Sequence, residues 1–141
     1  MTVSDILKNK SSNIFSITGN VSVYDALVLM REKNIGALMV IENNLLVGIL
    51  SERDYARKVI LQGRSSQETP VSEIMTSKVI TVTENDDLEQ CMELMSNKDI
   101  RHLPVIKEST VLGMISIGDV LKSLIRSQKE TIEHLKNYIA Q

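Results

Sequence analysis

The chain repeats itself. Residues 17–60 fall on residues 82–125 at a constant offset of 65 without a gap, and 13 of those 44 positions are identical. They are Thr18/Thr83, Asn20/Asn85, Leu29/Leu94, Met30/Met95, Lys33/Lys98, Ile35/Ile100, Leu38/Leu103, Val40/Val105, Ile41/Ile106, Gly48/Gly113, Ser51/Ser116, Asp54/Asp119 and Ile60/Ile125. Further back, Val3-Ser4-Asp5-Ile6-Leu7 echoes Val71-Ser72-Glu73-Ile74-Met75, where the offset becomes 68. The first copy therefore carries three extra residues within its Lys8–Ser16 stretch. A repeat of this kind folds as two copies of one supersecondary unit. One copy of about 60 residues has only a marginal core of its own. The two copies are thus expected to bury sheets or helices against each other about a pseudo-twofold axis, as one module.

Hydrophobic spacing gives each copy the same α/β content. Val23, Ala26, Leu27 and Met30 in the first copy, and Leu88, Cys91, Met92 and Met95 in the second, follow the i, i+3, i+4, i+7 face of a helix. Ser22 with Asp25, and Asp87 with Gln90, stand where an N-cap and its partner satisfy orphan amides. Two short apolar runs follow, Ala37–Ile41 and Leu46–Leu50, split by Glu42-Asn43-Asn44. Their counterparts are Leu103–Ile106 and Val111–Ile115, split by Glu108-Ser109-Thr110. Such runs bounded by turn residues predict neighbouring strands. An extended segment, Ile14–Thr18 or Val79–Thr83, precedes each first helix, and closing helices begin at Arg53 and Asp119. The expected domains are a first repeat at 3–62, a polar linker at 63–70, a second repeat at 71–126 and a helical extension at 127–141.

Composition narrows the function. Sixteen Lys plus Arg face 18 Asp plus Glu, a net charge of -2, whereas a nucleic-acid binder needs basic excess to neutralise phosphates. A hydrophobic content of 43 % supports a core, and with no Trp and four Phe or Tyr, aliphatic residues and seven Met must fill it. One cysteine makes no internal disulfide, which fits a reducing compartment. Met1 to Lys10 lacks a secretory pattern, and no stretch approaches the ~20 apolar residues of a membrane span. A cytoplasmic protein without membrane insertion is expected.

Two stretches carry a resemblance. Gly48-Ile49-Leu50-Ser51-Glu52-Arg53-Asp54 and Gly113-Met114-Ile115-Ser116-Ile117-Gly118-Asp119 share Gly, two apolar residues, Ser, two variable residues and Asp. With Arg101-His102-Leu103-Pro104-Val105 ahead of the second, the chain resembles a tandem cystathionine-β-synthase-type (CBS) domain pair, or Bateman module, from Val3 to about Ile125. The resemblance implies a regulatory module that binds AMP, ADP, ATP, NAD or S-adenosylmethionine in clefts between the repeats. It assigns the ribose hydroxyls to Asp54 and Asp119, and ribose or phosphate contacts to Ser51 and Ser116. Thr18 and Thr83 match a contributing Thr, and Ile80, Val40, Pro104 and Val105 the segments that hold the base. It further pairs Thr83 with Ser51 and Asp54, and Thr18 with Ser116 and Asp119. Homodimers, and a regulated partner protein of unknown identity, are also implied.

Elementary chemistry agrees with that assignment. Free amides and the positive helix end at a strand-to-helix junction favour an anion. A carboxylate one turn in can accept two ribose hydroxyl protons, and Arg53, Arg101 and His102 are the neighbours suited to phosphate. The same Ser-x-x-Asp spacing is also an ordinary helix start, worth about 1 kcal/mol as a cap. The two copies are unequal: Arg53 corresponds to Gly118, and Arg101-His102 to Gly36-Ala37, so the two sites should differ in phosphate affinity. Cys91 reads as core, and His134 and the mixed-charge tail as a solvated helix face whose Ile132, Leu135 and Ile139 can pack on a partner. The sequence has no His/Cys set with metal spacing, no Walker loop and no nucleophile–base–acid set. A sensor without catalysis, metal or required cofactor is the expectation. Its alternatives are a ligand-independent docking or dimerisation module for a metabolic enzyme or transporter and, further off, an enzyme of nucleotide metabolism.

Overall fold

Two short hairpins and the helices around them organise the protein, seen here in a computed structural model that describes residues 1–10 and 14–140. Residues 11–13, within the Lys8–Ser16 stretch expected to carry the three extra residues, and the final Gln141 of the extension lie outside the described residues. Helix α1 (Val3–Asn9) is followed by β1 (Ser16–Ile17), α2 (Val23–Lys33), β2 (Ala37–Glu42) and β3 (Leu45–Ser51). Helix α3 (Glu52–Tyr55) continues as one turn of π-helix, Ala56–Ile60, and a 3-10 turn spans Val71–Glu73. The second copy supplies α4 (Leu88–Lys98), β4 (His102–Lys107), β5 (Thr110–Ser116) and the long α5 (Ile117–Ala140).

The first helices begin and end for local reasons. Ser22 Oγ accepts from the Asp25 amide at 3.1 Å, as its spacing predicts. The expected counterpart fails: Asp87 occupies the N-cap of α4, but its side chain makes no capping bond. There the Leu88 amide donates instead to the Met1 carbonyl at 3.1 Å, so the backbone of the N-terminus does part of the capping. Both helices stop at a left-handed residue, Asn34 (φ 53°) and Asp99 (φ 52°), sixty-five positions apart. Asn and Asp tolerate that conformation better than other side chains. Asn43 and Asn44, at φ 52° and 64°, then turn β2 into β3, the two-residue geometry that suits a hairpin. Glu42 belongs to the strand rather than to the turn.

In one compact unit, Asn13–Ile80 with Glu108–Val111, the sheet order is β1-β2-β3. Strand β1 runs parallel to β2, with Ile17 opposite Val40, and β2 is antiparallel to β3. Val23, Ala26 and Met30 of α2 close over Leu38, Val40 and Leu50, and Val59, Val71 and Ile74 complete this buried cluster. The other unit comprises Met1–Ser12, Thr81–Lys107 and Leu112–Gln141. There β4 pairs with β5, and the extended segment equivalent to β1 is reduced to one parallel bridge, Val82 to Val105. Val3, Ile6, Val82, Leu88, Cys91, Met95, Leu103, Val105, Ile115 and Val120 are among its buried apolar residues.

The units do not follow the sequence repeats. Helix α1 opens the first repeat yet packs against α5, while Val71 and Ile74 open the second repeat yet lie in the core of the first. The glycine of each motif shows why. A Cβ on Gly48 would overlap the Met75 side chain, whose Cγ it would meet at 2.9 Å, and a Cβ on Gly113 would lie 3.2 Å from Leu7 Cδ2. Leu7 and Met75 are themselves repeat equivalents. Each motif glycine thus makes room on its strand for the leading segment of the other repeat.

Candidate functional site

Both Ser-x-x-Asp motifs sit where a strand becomes a helix. At the end of β3 the Ser51 amide donates to Asp54 Oδ2 at 3.0 Å, and the Asp54 amide donates back to Ser51 Oγ at 3.1 Å. The Ser51 hydroxyl also donates to Asp54 Oδ2 at 3.1 Å. At the end of β5 the Ser116 amide reaches Asp119 Oδ2 at 2.8 Å, and the Asp119 amide reaches Ser116 Oγ at 3.1 Å. Each is a reciprocal capping box with aspartate in the role usually held by Glu. The box fixes the carboxylate against the helix start.

Each carboxylate also meets a lysine that the sequence reading missed. Lys58 Nζ stands 3.1 Å from Asp54 Oδ1 and donates to the Ile74 carbonyl at 2.9 Å. Thr76 Oγ1 donates to the same Oδ1 at 3.4 Å. Asp54 is buried at 8 % exposure, so this pairing offsets much of its desolvation. Lys10 Nζ lies 2.7 Å from Asp119 Oδ2 and donates to the Met114 carbonyl, also at 2.7 Å. Burial acts to raise the Asp119 pKa, but the Lys10 and Ser116 hydrogen bonds outweigh it and hold the carboxyl below its ordinary 3.8. Lys58 was findable, because i and i+4 share a helix face. Lys10 gave no such signal: it is 109 residues from Asp119.

His102 opens β4, half-buried. Burial first, then the positive charges of Lys10 and Arg101, push its pKa below 6.5, against the pull of Asp119. The imidazole is therefore neutral near pH 7. Arg101 is exposed just ahead of β4, and Arg53 is half-buried as the second residue of α3. Pro104 and Val105 are buried in β4, where the Pro104 carbonyl accepts from the Val82 amide at 3.0 Å. Val40 is buried in β2, and Ile80 is half-buried. Thr18 and Thr83 are exposed; Thr18 Oγ1 donates to Asn20, and the Thr83 amide donates to Asp86 Oδ2 at 2.8 Å. Thr18 shares a unit with Ser51 and Asp54, and Thr83 with Ser116 and Asp119. The pairing that the resemblance implies therefore joins residues of different units.

A concavity of about 390 Å³ lies beside the first motif, lined by Leu27, Met30, Arg31, Asn34, Ile35, Gly36 and Glu52. It contains none of the expected ligand residues. Among the described residues no group of His, Cys, Asp or Glu is arranged to hold a metal ion, and no helix is long and apolar enough to cross a membrane. Cys91 is a buried free thiol.

Known proteins share this architecture. The CBS domain family matches residues 3–60 and again 71–126. The CBS domain-containing protein CBSX3, mitochondrial, of Arabidopsis thaliana is 43 % identical over 147 residues, covering 98 % of this chain and 71 % of its own. A protein with CBS domains from Burkholderia ambifaria superposes with a TM-score of 0.88 at 50 % identity, over 91 % of this chain and 96 % of its own. The CBS domain pair of protein MJ0100, in complex with 5′-methylthioadenosine and S-adenosyl-L-methionine, superposes with a TM-score of 0.79 at 27 % identity, covering 90 % and 98 %. With a twofold family match, the duplicated capping boxes and these relatives, the chain belongs to the CBS-domain proteins and carries two CBS domains in tandem.

Proposed function

We propose that this CBS pair is a regulatory module that binds an adenosine-containing ligand, with AMP, ADP, ATP, NAD and S-adenosylmethionine as the candidates, and signals its level to a partner protein. The observation that carries the reading is the pair of capping boxes, which fix the carboxylates of Asp54 and Asp119 at helix starts, with the Asp119 pKa held below its ordinary value. An ionised carboxylate in that position accepts both hydroxyl protons of a ribose, while the positive end of the helix dipole favours an anion. That the related MJ0100 pair is seen with 5′-methylthioadenosine and S-adenosyl-L-methionine supports adenosine as the shared element.

In this reading Thr83 works with Ser51 and Asp54, and Thr18 with Ser116 and Asp119. Val40, Ile80, Pro104 and Val105 hold the base, and Arg53, Arg101 and His102 meet phosphate. The lysines extend it. A ribose that takes the carboxylate displaces the ammonium of Lys58 or Lys10, which is then within reach of the ligand's own phosphate. The site performs binding rather than catalysis, and the protein works as a cytoplasmic homodimer. A second reading, docking without ligand, is favoured by the apolar residues exposed along α5.

A thermal-shift panel of AMP, ADP, ATP, NAD, S-adenosylmethionine and GTP tests the proposal. A ligand at ~100 times its Kd adds roughly 2.7 kcal/mol, which raises Tm by about 5–10 °C at this size. A shift with an adenosine ligand but not with GTP supports the sensor. No shift with any of them, from protein purified free of nucleotide, gives the docking reading.

A further inference from the structure

Helix α5 outruns its support. Its 24 residues extend about 36 Å, and it packs on α4 and α1 only through its first turns, where Val120 and Ser123 are buried. From Gln128 to Ala140 every residue is exposed. Thirteen helical residues with no packed face are marginal in water by themselves.

The exposed residues are not randomly placed. Leu121, Ile125, Gln128, Ile132, Leu135 and Ile139 alternate by steps of four and three, the seam of a two-stranded coiled coil. The five apolar members are 45–81 % exposed, so the seam is unpartnered along its length. Lys122, Lys129 and Lys136 recur every seven residues along one border of the seam, and Leu124, Thr131 and Tyr138 along the other.

We infer that α5 pairs with the α5 of a second copy, parallel and in register, about a twofold axis that runs along and between the two helices. This rests on the homodimer reading above and assigns it a surface. Charge selects the direction. An antiparallel pair brings the three lysines of one copy against the three of the other. A parallel pair instead lays each lysine stem over the uncharged border of its neighbour. Gln128 selects the register, because a lone polar residue in an apolar seam is satisfied when it meets its own copy across the axis. In a pair, these side chains and the lysine stems reach the scale of a standard interface, on the order of 800 Å² per partner.

The test uses the full chain. Sedimentation equilibrium of wild type should give a dimer, and the double variant Ile132→Asp, Leu135→Asp should dissociate at least ~100-fold more readily. Both positions are exposed, so the circular dichroism melt reports that the fold survives. Under mild oxidation Gln128→Cys should cross-link readily between copies, and Glu130→Cys, on the outer face of the helix, should not. A dimer that survives the double variant, or equal cross-linking at 128 and 130, overturns the helix pairing while leaving the homodimer standing. A monomeric wild type overturns both. Binding of that monomer to vesicles of anionic phospholipid, lost in the double variant, would assign the face to a membrane surface instead.

Discussion

Lys10 Nζ lies 2.7 Å from Asp119 Oδ2, so a residue from the start of the chain neutralises the carboxylate of the second motif. At the first motif the equivalent charge comes from Lys58, on the helical turn that follows Asp54 itself. The position equivalent to Lys58 in the second copy is Ser123. The two halves therefore reach one electrostatic result by different residues, and the two sites can be separated by mutation.

Lys10→Met removes the partner of Asp119 alone. The Asp119 pKa should rise, read from its side-chain carboxyl shift by NMR. If ribose and Lys10 compete for this carboxylate, adenosine should bind more tightly and ATP, deprived of the ammonium, about tenfold more weakly. Adenosine and ATP affected in the same direction would count against the exchange.

Asp54→Ala and Asp119→Ala should each remove or strongly weaken one of two ligand sites in titration calorimetry. Each variant also loses a capping box, about 1 kcal/mol, so the fold should persist. Asp54→Ala should cost more stability than Asp119→Ala, because Asp54 is the more buried and also holds Thr76. Unchanged stoichiometry and affinity in both variants would end the site assignment.

The two titrating groups of the second motif give stability a definite pH sense. Asp119 has a depressed pKa in the folded state, so its contribution is present at neutral pH and is lost as pH falls below about 4. His102 is also depressed, below 6.5, so the unfolded chain binds the extra proton first and stability falls as pH drops from 6.5 towards the folded value. Urea unfolding at pH 7.5 and 5.5 should show that loss, and His102→Gln should reduce it. An equal loss in the variant would show that other groups carry the pH dependence.

Gly48→Val should destabilise the protein by about 1–3 kcal/mol through overpacking, and more than Gly113→Val does. The added carbon overlaps Met75 at position 48 but meets only Leu7 Cδ2, at 3.2 Å, at position 113. Gly48→Val combined with Met75→Ala should recover part of the loss. Equal melting temperatures for the two valine variants would argue against this account of the motif glycine.

Cys91 should resist iodoacetamide at pH 8 in the folded protein and react on unfolding. Burial first, and then the charges of Asp86 and Asp87, raise its pKa and keep it a thiol.

Local pattern made most of this fold legible. The helix faces of Val23–Met30 and Leu88–Met95, the paired hairpins and the Ser-x-x-Asp helix starts all depend on neighbours in sequence, and the structure has them at those places. At the start of α4 the expected Asp87 side-chain cap is absent, and the Leu88 amide is met by the Met1 carbonyl, a partner far away in sequence. The turn of π-helix at Ala56–Ile60 left no trace either, since its spacing differs from an α-helix by one hydrogen-bond step. Lys10 at Asp119 and Ile74 in the first repeat's core share that origin: they are long-range partners, and a periodicity of 3.6 or 2 carries no information about them.

The crossing of the leading segments bears on how such a chain is made. A free-standing first repeat ending before Val71 would lack two members of its buried cluster, Val71 and Ile74. Each repeat therefore completes its core with the opening segment of the other. On the ribosome that completion comes late. Val3 and Ile6 emerge first but wait for residues beyond 81 before their unit can close, so a pause or truncation between the repeats leaves an apolar helix without a home.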